Sequence, residues 1–508
     1  MAGDLTTVDA LRSGKLAPMK NSIALLMSAA VLAVTPACNR TPPERQAILD
    51  AADAMGGRDK VAAIKTLTIQ GEGDAPNVGQ NTMPDGELPN WKVTEFTRTI
   101  DLQHHRMRMQ QVRTAQFLFA GANTQRQAQG LDGDVAFNIS ADGKATRASE
   151  SAMRDRRIEM LHHPLVIVRA VLDDPQMRVT GLRTAGDQTV VEIETGKDEH
   201  VTLALDNATK LPSRMTSMSY NANLGDVAID TTFGDYETAN GIKLPKRITT
   251  KIDRYPQFDI RVSRNTLDAD TGDLAAPDSA RTAVVPPSVA PVTVTAMPVA
   301  KGIWWLAGSG NHRSVVFEFD DHLVLFEVPV NQARSKAVID KARTLSPKPL
   351  TQVIVSHHHF DHSGGLRVAV AEGLTIITYK DNIPFFKELL ARKHSIVPDE
   401  LTLHPQEARF VAVDDSLDLK DNSMEVQLYH LLDNPREGTN LFAYVPRDRI
   451  LVQADLYDST WQFHHWGENV INNIEQIRKL KVDKQVPVHG EIQSYAEMVK
   501  TIRSAPKG

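Results

Sequence analysis

Four histidines and one aspartate lie within the six consecutive positions 357–362, in the stretch SHHHFDHSGG. The strand-like sequence QVIV precedes them, so their side chains project from a loop at a strand end, where α/β folds place ligand sites. His357 and His359 alternate and can point the same way, whereas Asp361 and His362 follow a turn. Imidazole nitrogens and carboxylate oxygens are good zinc ligands, and a divalent ion lowers the pKa of a bound water to about 7. The pattern therefore predicts a metal site that supplies a hydroxide nucleophile.

The HHHFDH stretch resembles the His-x-His-x-Asp-His signature of the metallo-β-lactamase superfamily, and the likeness covers residues 298–508. The resemblance implies an αββα sandwich with its metals at one edge, between the two sheets. The ligands that it implies are His357 and His359 for a first zinc, Asp361, His362 and His489 for a second zinc, and Asp455 as the bridge between them. Asp361 is also the implied catalytic residue, because it would orient the metal-bound hydroxide. Glu327 stands where the family commonly has a structural aspartate. We expect one or two Zn²⁺ ions, although another first-row divalent metal is compatible with these ligands.

Position 436 departs from the family pattern. The resemblance implies a third histidine there for the first zinc, but the loop YHLLDNPREGTNLFAYVP has Arg436. Arginine has no lone pair for a metal, and its charge about 4 Å from a dication costs on the order of 8 kcal/mol at an effective dielectric of about 20. Three alternatives stay open: Arg436 swings away and leaves His357, His359 and water on the first ion; His430 substitutes; or the first site is empty. A further hypothesis makes Arg436 a clamp for an anionic group of the substrate, since its planar fork pairs with carboxylate and phosphate.

Sequence periodicity indicates how the chain positions these residues. Residues 39–266 contain alternating stretches such as KVTEFTRTIDL and HVTLALD, which predict a mostly antiparallel, half-barrel-like β domain with one amphipathic helix over 152–173. The couplet DNATKLPSRM and DYETANGIKLPKRI is similar to segments of envelope proteins that carry apolar cargo on a curved sheet. Prolines in residues 267–297 predict a linker, and strands alternate with helices over 298–508. The predicted fold class is α+β multidomain, with the αββα sandwich following the β domain.

Residues 1–38 predict an export signal. From Met19 the chain has a lysine, an apolar run too short to span a membrane, small residues and then Cys38, the single cysteine of the chain. We expect residues 1–18 to be an upstream extension. Two alternatives stay open: lipidation of Cys38 and attachment to the membrane of a bacterium, or plain cleavage after Ala37 and release into the periplasm. In both, an internal disulfide is excluded.

Charge and composition narrow the classes of function. The chain of 508 residues has a formal net charge of −6 and no basic run, which argues against nucleic-acid binding. The first interpretation is an exported metal-dependent hydrolase that cleaves an ester, lactone, amide or phosphoester bond of a small molecule. The alternative is a non-catalytic envelope binding or scaffold protein with a degenerate metal site, which Arg436 favours. His312, which follows a glycine-rich turn, is assigned no chemistry, and the sequence does not indicate an oligomeric state.

Overall fold

The computed structural model of the protein describes residues 41–117, 123–197, 199–308 and 310–506. The predicted export signal and Cys38 lie outside these residues. Pro42–Gly508 form one compact unit. Within the described ranges, no helix combines the length and the apolar character that crossing a membrane requires. The predicted division into a β domain, a linker and a sandwich domain remains a prediction, and the elements below are given as they occur along the chain.

A large antiparallel sheet, called the N-terminal sheet here, forms the first part of the described chain. The strands up to Leu267 are β1 Thr66–Pro76, β2 Asn90–Asp101, β3 Arg106–Ala115, β4 Thr124–Asp132, β5 Val135–Ile139, β6 Ala145–Arg147, β7 Arg178–Ala185, β8 Gln188–Glu194, β9 His200–Asp206, β10 Pro212–Asn221, β11 Gly225–Gly234, β12 Glu237–Ala239, β13 Ile242–Leu244, β14 Arg247–Ile252 and β15 Tyr255–Leu267. The sheet order is β6-β5-β4-β3-β2-β1-β15-β14-β11-β10-β9-β8-β7, and β12 pairs with β13 alone. Buried and exposed residues alternate along strands such as β1, as period-two patterning predicts.

Helices cover one face of this sheet. They are α1 Pro43–Met55, α2 Arg58–Ala63, α3 Glu150–Leu161 and α4 Pro164–Asp173. Apolar side chains of α1 and α4 share one core with the sheet. The single helix predicted over 152–173 is wrong, because the structure has two helices that part at His163. Pro164 opens α4 and keeps His163 extended, since a proline ring excludes the helical conformation from the residue before it.

The proline-rich segment leads from β15 to the next sheet. It contains the short helix α5 Asp278–Arg281, whose Ala280 packs against Phe137 and Ala145 of the N-terminal sheet. The Arg281 guanidinium lies 3.3 Å from the Asp132 carboxylate of the same sheet. Part of the predicted linker is therefore docked against the sheet that precedes it.

Two further sheets pack face to face in the C-terminal part. The first, in the order β16 to β22, has strands β16 Thr295–Ala300, β17 Ile303–Ala307, β18 Arg313–Glu318, β19 Leu323–Phe326, β20 Leu350–Ile354, β21 Thr375–Tyr379 and β22 Arg409–Val413. The second, in the order β23 to β28, has strands β23 Ser416–Lys420, β24 Glu425–His430, β25 Leu441–Val445, β26 Ile450–Gln453, β27 Lys484–Pro487 and β28 Gln493–Ser494. A buried apolar layer lies between them, with Phe326 from the first sheet and Val426 from the second.

Helices flank both outer faces of these sheets. They are α6 Gln332–Arg343, α7 Phe360–Ser363, α8 Leu366–Ala371, α9 Ile383–Ala391, α10 Glu400–Leu403, α11 Gly467–Asn472 and α12 Tyr495–Ser504, with a 3-10 turn at Lys380–Asn382 and a π-helical turn at Asn473–Ile477. α6, α8 and α9 pack on the first sheet, and α11 and α12 on the second. The layers run helix, sheet, sheet, helix, so the predicted fold class is confirmed.

Candidate metal centre

The predicted metal ligands converge at the ends of strands from both C-terminal sheets. The loop after β20 carries His357 and His359 and leads into α7 with Asp361 and His362, while Asp455 follows β26 and His489 follows β27. Since β26 and β27 are parallel, their carboxyl ends meet at the same edge. His357, His359 and His362 are fully buried. The fold thus brings together residues that lie up to 132 positions apart in the sequence (489 − 357).

One set of side chains, called the second ligand group here, consists of Asp361, His362, Asp455 and His489. Oδ1 of Asp455 lies 3.2 Å from Nε2 of His362 and 3.1 Å from Nε2 of His489. Oδ2 of Asp361 lies 3.4 Å from Nε2 of His362 and 3.5 Å from Nε2 of His489. Two imidazole nitrogens and two carboxylate oxygens therefore face a common point, as a tetrahedral divalent ion requires.

Hydrogen bonds at Nδ1 fix the orientation of the imidazole rings of His362 and His489. Nδ1 of His362 donates to Oε2 of Glu327 at 3.2 Å, and Nδ1 of His489 donates to the carbonyl of Asn311 at 2.5 Å. Oε1 of Glu327 accepts from the backbone N–H of Ser356 at 2.9 Å. Glu327 (φ 77°) and Asp455 (φ 60°) both adopt the left-handed backbone conformation, which is costly for residues other than glycine and occurs often at functional sites. A protonated Nδ1 leaves Nε2 of both rings as the lone-pair donor toward the centre.

The electrostatics of the second ligand group suit a cation. Burial opposes protonation of His489, but the Asp455 and Asp361 carboxylates raise its pKa to about 9. Burial likewise opposes protonation of His362, yet the same two carboxylates raise its pKa well above the ordinary value. Burial would raise the pKa of Asp455, but Arg436 and then His362 hold it well below its usual range. The two carboxylates thus favour positive charge between them, and a divalent ion would supply that charge in place of protons on the histidines.

The first ligand group consists of His357 and His359. Nε2 of His357 lies 3.8 Å from Oδ2 of Asp455, and Nδ1 of His359 lies 3.9 Å from the same oxygen. Both nitrogens are buried and have no hydrogen-bond partner among the described residues. Buried polar atoms are rarely left without a hydrogen-bond partner, so two such nitrogens beside a carboxylate fit the ligands of a metal ion.

Arg436 has an internal partner in the structure. Its side chain is 6% exposed, and Nη2 forms a close ion pair with Oδ2 of Asp455. The guanidinium also lies 5.5 Å from the ring centroid of Trp461 and 5.4 Å from that of Trp466. The clamp hypothesis assumed a guanidinium that faces the substrate, and the geometry does not support it, because Arg436 is buried against a carboxylate of the protein.

His430 does not join the first ligand group. Its Nε2 donates to the carbonyl of Gly438 at 3.0 Å, and its ring stacks on Tyr379 with centroids 3.8 Å apart. The groups of three potential ligands found among the described residues are His357 with His359 and Glu437; His357 with His362 and Asp455; and His312 with Asp361 and His489. His430 is absent from all three, so the geometry does not support the alternative in which it replaces the missing histidine.

Two residues that sequence reasoning missed lie beside the predicted ligands. His312, which was assigned no chemistry, places Nε2 3.5 Å from Oδ2 of Asp361, and its ring centroid lies 4.7 Å from that of His489. Glu437 places Oε2 2.7 Å from Nε2 of His359. Glu437 immediately follows Arg436, so it lies on the loop where the family pattern has its third histidine, one position after it.

A loop from the N-terminal sheet also reaches the centre. Residues 77–89, called the covering loop here, connect β1 to β2. Nε2 of Gln80 donates to Oδ1 of Asp361 at 2.7 Å, and the carbonyl of Asn81 accepts from Nε2 of His359 at 2.8 Å. The carbonyl of Thr82 accepts from the backbone N–H of Gly438 at 3.0 Å. Both ligand groups therefore have a hydrogen-bond partner in the covering loop.

Comparison with known proteins bears on the C-terminal part. Residues 307–439 match the sequence model of the family described as "Metallo-beta-lactamase superfamily". A metallo-beta-lactamase from Pontibacter korlensis is 13% identical and aligns with 42% of this chain and 100% of its own, with a TM-score of 0.34. The FIM-1 metallo-beta-lactamase from Pseudomonas aeruginosa in its mono-zinc form is 14% identical, with 42% and 94% covered and a TM-score of 0.33.

A metallo-beta-lactamase from Hirschia baltica is 15% identical, with 42% of this chain and 100% of its own covered and a TM-score of 0.33. Comparison with curated proteins gives no match. The family match confirms the predicted resemblance of the C-terminal part to this superfamily, and the fold is one that generally supports metal-dependent hydrolysis.

Proposed function

Because residues 307–439 match the metallo-beta-lactamase superfamily, we propose that the protein is an exported metal-dependent hydrolase of a small-molecule ester, lactone, amide or phosphoester. One observation carries the proposal: Oδ1 of Asp455 lies 3.2 Å and 3.1 Å from Nε2 of His362 and His489, which leaves a compact set of lone-pair donors at a strand edge. Export is supported by the sequence from Met19 to Cys38 alone.

The residues present fit a divalent metal, with zinc as the proposed ion. The second ligand group would hold one ion through Asp361, His362, Asp455 and His489, and His357 and His359 would contribute to a second. When bound, such an ion lowers the pKa of a coordinated water to about 7 and polarises the bond to be cleaved. The chain's own residues set the rest of the chemistry.

Asp361 is the residue that we assign to orient the nucleophile and accept its proton. Its side chain is 27% exposed, whereas that of Asp455 is 1% exposed, so a substrate reaches Asp361 first. Gln80 occupies Oδ1 and leaves Oδ2 facing the two histidines. His312 lies on the same open side, with 26% of its side chain exposed, and can hold a proton for the leaving group.

The test compares hydrolysis and metal content in the same samples. Chromogenic esters, a lactone, a β-lactam and a phosphodiester would be assayed with the zinc-loaded protein, and zinc per chain would be measured by elemental analysis. Asp361→Asn should lower the rate on any cleaved substrate by about 100-fold or more, because proton-transfer groups typically contribute that much. Asp321→Asn removes a carboxylate that is 88% exposed and serves as the matched control.

Two results would contradict the proposal. Turnover that survives Asp361→Asn within a few-fold would remove the assigned chemistry. A zinc-loaded protein that cleaves no class of substrate would favour the alternative, a binding or scaffold protein that retains a metal site for its structure.

A further inference from the structure

Three buried side chains that could bind a metal each have one hydrogen-bonded atom and a second atom available as a ligand. Nδ1 of His357 lies 2.9 Å from Oγ of Ser356, and Nε2 of His359 donates to the carbonyl of Asn81 at 2.8 Å. Oε1 of Glu437 accepts from Oγ1 of Thr439 at 2.9 Å. In the part of the chain that the structure describes, Nε2 of His357 and Nδ1 of His359 are buried without a hydrogen-bond partner, and Oε2 of Glu437 lies 2.7 Å from Nε2 of His359.

These three residues lie close enough to share one ion. One potential ligand atom from each of His357, His359 and Glu437 lies within 4.8 Å of the other two. Glu437 has two further contacts, since Oε2 is 2.7 Å from Nε2 of His359 and Oε1 is 3.2 Å from Nδ1 of His358. The two buried histidine nitrogens without a partner are costly, and a cation that they share with the Glu437 carboxylate would remove the cost.

We infer that Glu437 completes the first metal site with His357 and His359, so that a divalent transition-metal ion is held by two histidines and a carboxylate where a third histidine was expected. The inference rests on the proposed function in taking this ion to belong to the same centre. Two histidines with one carboxylate and an open position suit zinc or iron(II).

The local backbone explains why Glu437 takes this role beside an arginine. Oδ1 of Asn434 accepts from the backbone N–H groups of Arg436, at 2.9 Å, and Glu437, at 3.1 Å. This turn sends the two consecutive side chains to different partners: Arg436 pairs with Asp455, whereas Glu437 reaches His359. The loop thus places the positive charge of Arg436 and the negative charge of Glu437 at the centre, so it adds no net charge there.

The two oxygens of Asp455 have separate roles in this arrangement. Oδ2 pairs with Arg436, and Oδ1 faces His362 and His489. With Oδ2 neutralised, Asp455 contributes its charge mainly to the second ligand group. Glu437 then supplies the anionic ligand that the first site needs, and the penalty expected for an arginine beside a dication is offset by the carboxylates on both sides of it.

The test is Glu437→Gln in the full chain, with zinc binding measured by chelator competition and zinc coordination measured by X-ray absorption. Glutamine keeps the size and the hydrogen-bonding oxygen of the side chain but is a much weaker ligand. We expect two zinc equivalents in the parent protein, and in Glu437→Gln one tight equivalent with the other weakened by more than about 100-fold, beyond the 10–100-fold typical of residues that only orient a ligand. Glu437→Asp should recover part of the affinity, and Glu425→Gln, a change at the first residue of β24, should alter neither equivalent.

The outcomes separate this inference from the proposed function. Two equivalents in Glu437→Gln with less than a tenfold change in affinity would overturn it, as would a single equivalent that Glu437→Gln leaves intact. A single equivalent lost in Glu437→Gln but kept in Asp361→Asn supports it. If the zinc-loaded parent cleaves no substrate yet binds two equivalents through Glu437, the proposed hydrolysis fails while the inference stands. Circular dichroism of each variant shows whether it folds. If Glu437→Gln does not fold, Glu437→Asp decides, because full parental zinc affinity with a side chain one methylene shorter would overturn the inference.

Discussion

The ion pair of Arg436 with Asp455 should make the stability of the protein depend on metal. The two side chains are 6% and 1% exposed, so Arg436→Met leaves a buried carboxylate without its principal cation. Breaking a buried pair by removing one partner typically costs about 3–5 kcal/mol. In the zinc-loaded protein the loss of stability should be smaller by at least half, because the ion near Oδ1 of Asp455 compensates the buried carboxylate charge that Arg436 no longer pairs. Burial against Trp461 and Trp466 adds a packing loss that metal does not restore.

Urea unfolding of Arg436→Met and the parent, each with chelator and with excess zinc, measures this difference. Tryptophan fluorescence is a suitable signal, since Arg436 lies over two tryptophan rings. Arg447→Met is the matched control: Arg447 is 40% exposed and pairs with Asp448, so its loss should cost about 0–1 kcal/mol in either condition. An Arg436→Met variant that loses less than about 1 kcal/mol without metal, or equally much with and without it, would refute the reasoning.

Three further predictions concern the covering loop, acid stability and export. A Cβ on Gly79 (φ 78°) would lie 2.2 Å from the Phe360 ring, so Gly79→Ala should displace the covering loop and weaken zinc binding in chelator titrations. Gly133→Ala is the control, because Gly133 also has a positive φ but a Cβ there would have no atom within 4 Å. Burial, and to a smaller extent the charge of Arg98, lower the pKa of His163 to about 3. Below about pH 6.5 the unfolded chain therefore binds more protons than the folded protein, and the free energy of unfolding should fall from pH 6.5 to 5. His163→Phe should reduce this pH dependence, as measured by urea unfolding at each pH. Cys38→Ser should move the protein from the membrane fraction to the soluble periplasmic fraction of a bacterial host, and an unchanged distribution would exclude lipidation.

Much of the fold follows from local patterns in the sequence. Alternating polar and apolar residues predict the N-terminal sheet, and the rhythm of strands and helices predicts the layered C-terminal part. The resemblance to the superfamily pattern implies Asp455 and His489 as candidate ligands, and in the structure each follows a buried strand of the second C-terminal sheet. The carboxyl ends of the parallel strands β26 and β27 meet at one edge of the sheet, which is why these two candidate ligands lie close together.

The remaining features depend on contacts that no local pattern encodes. The predicted helix over 152–173 divides at His163 because of Pro164, a boundary that the apolar periodicity obscured. His312 and Glu437 are ordinary polar residues until the fold places them beside Asp361 and His359. The family pattern marks position 436 only, so it gives no signal for Glu437, the next residue.

The covering loop changes how the N-terminal sheet should be understood. Asn81 accepts the Nε2 proton of His359, which fixes the ring with Nδ1 as its lone-pair atom, and Gln80 occupies one oxygen of Asp361. These contacts join residues 278 and 281 positions apart, and each acts on a different ligand group. A sheet that served only as a mount would have no reason to control the tautomer of a metal ligand. We therefore consider the centre to be built by both parts of the chain, so that any movement of the covering loop alters both ligand groups together.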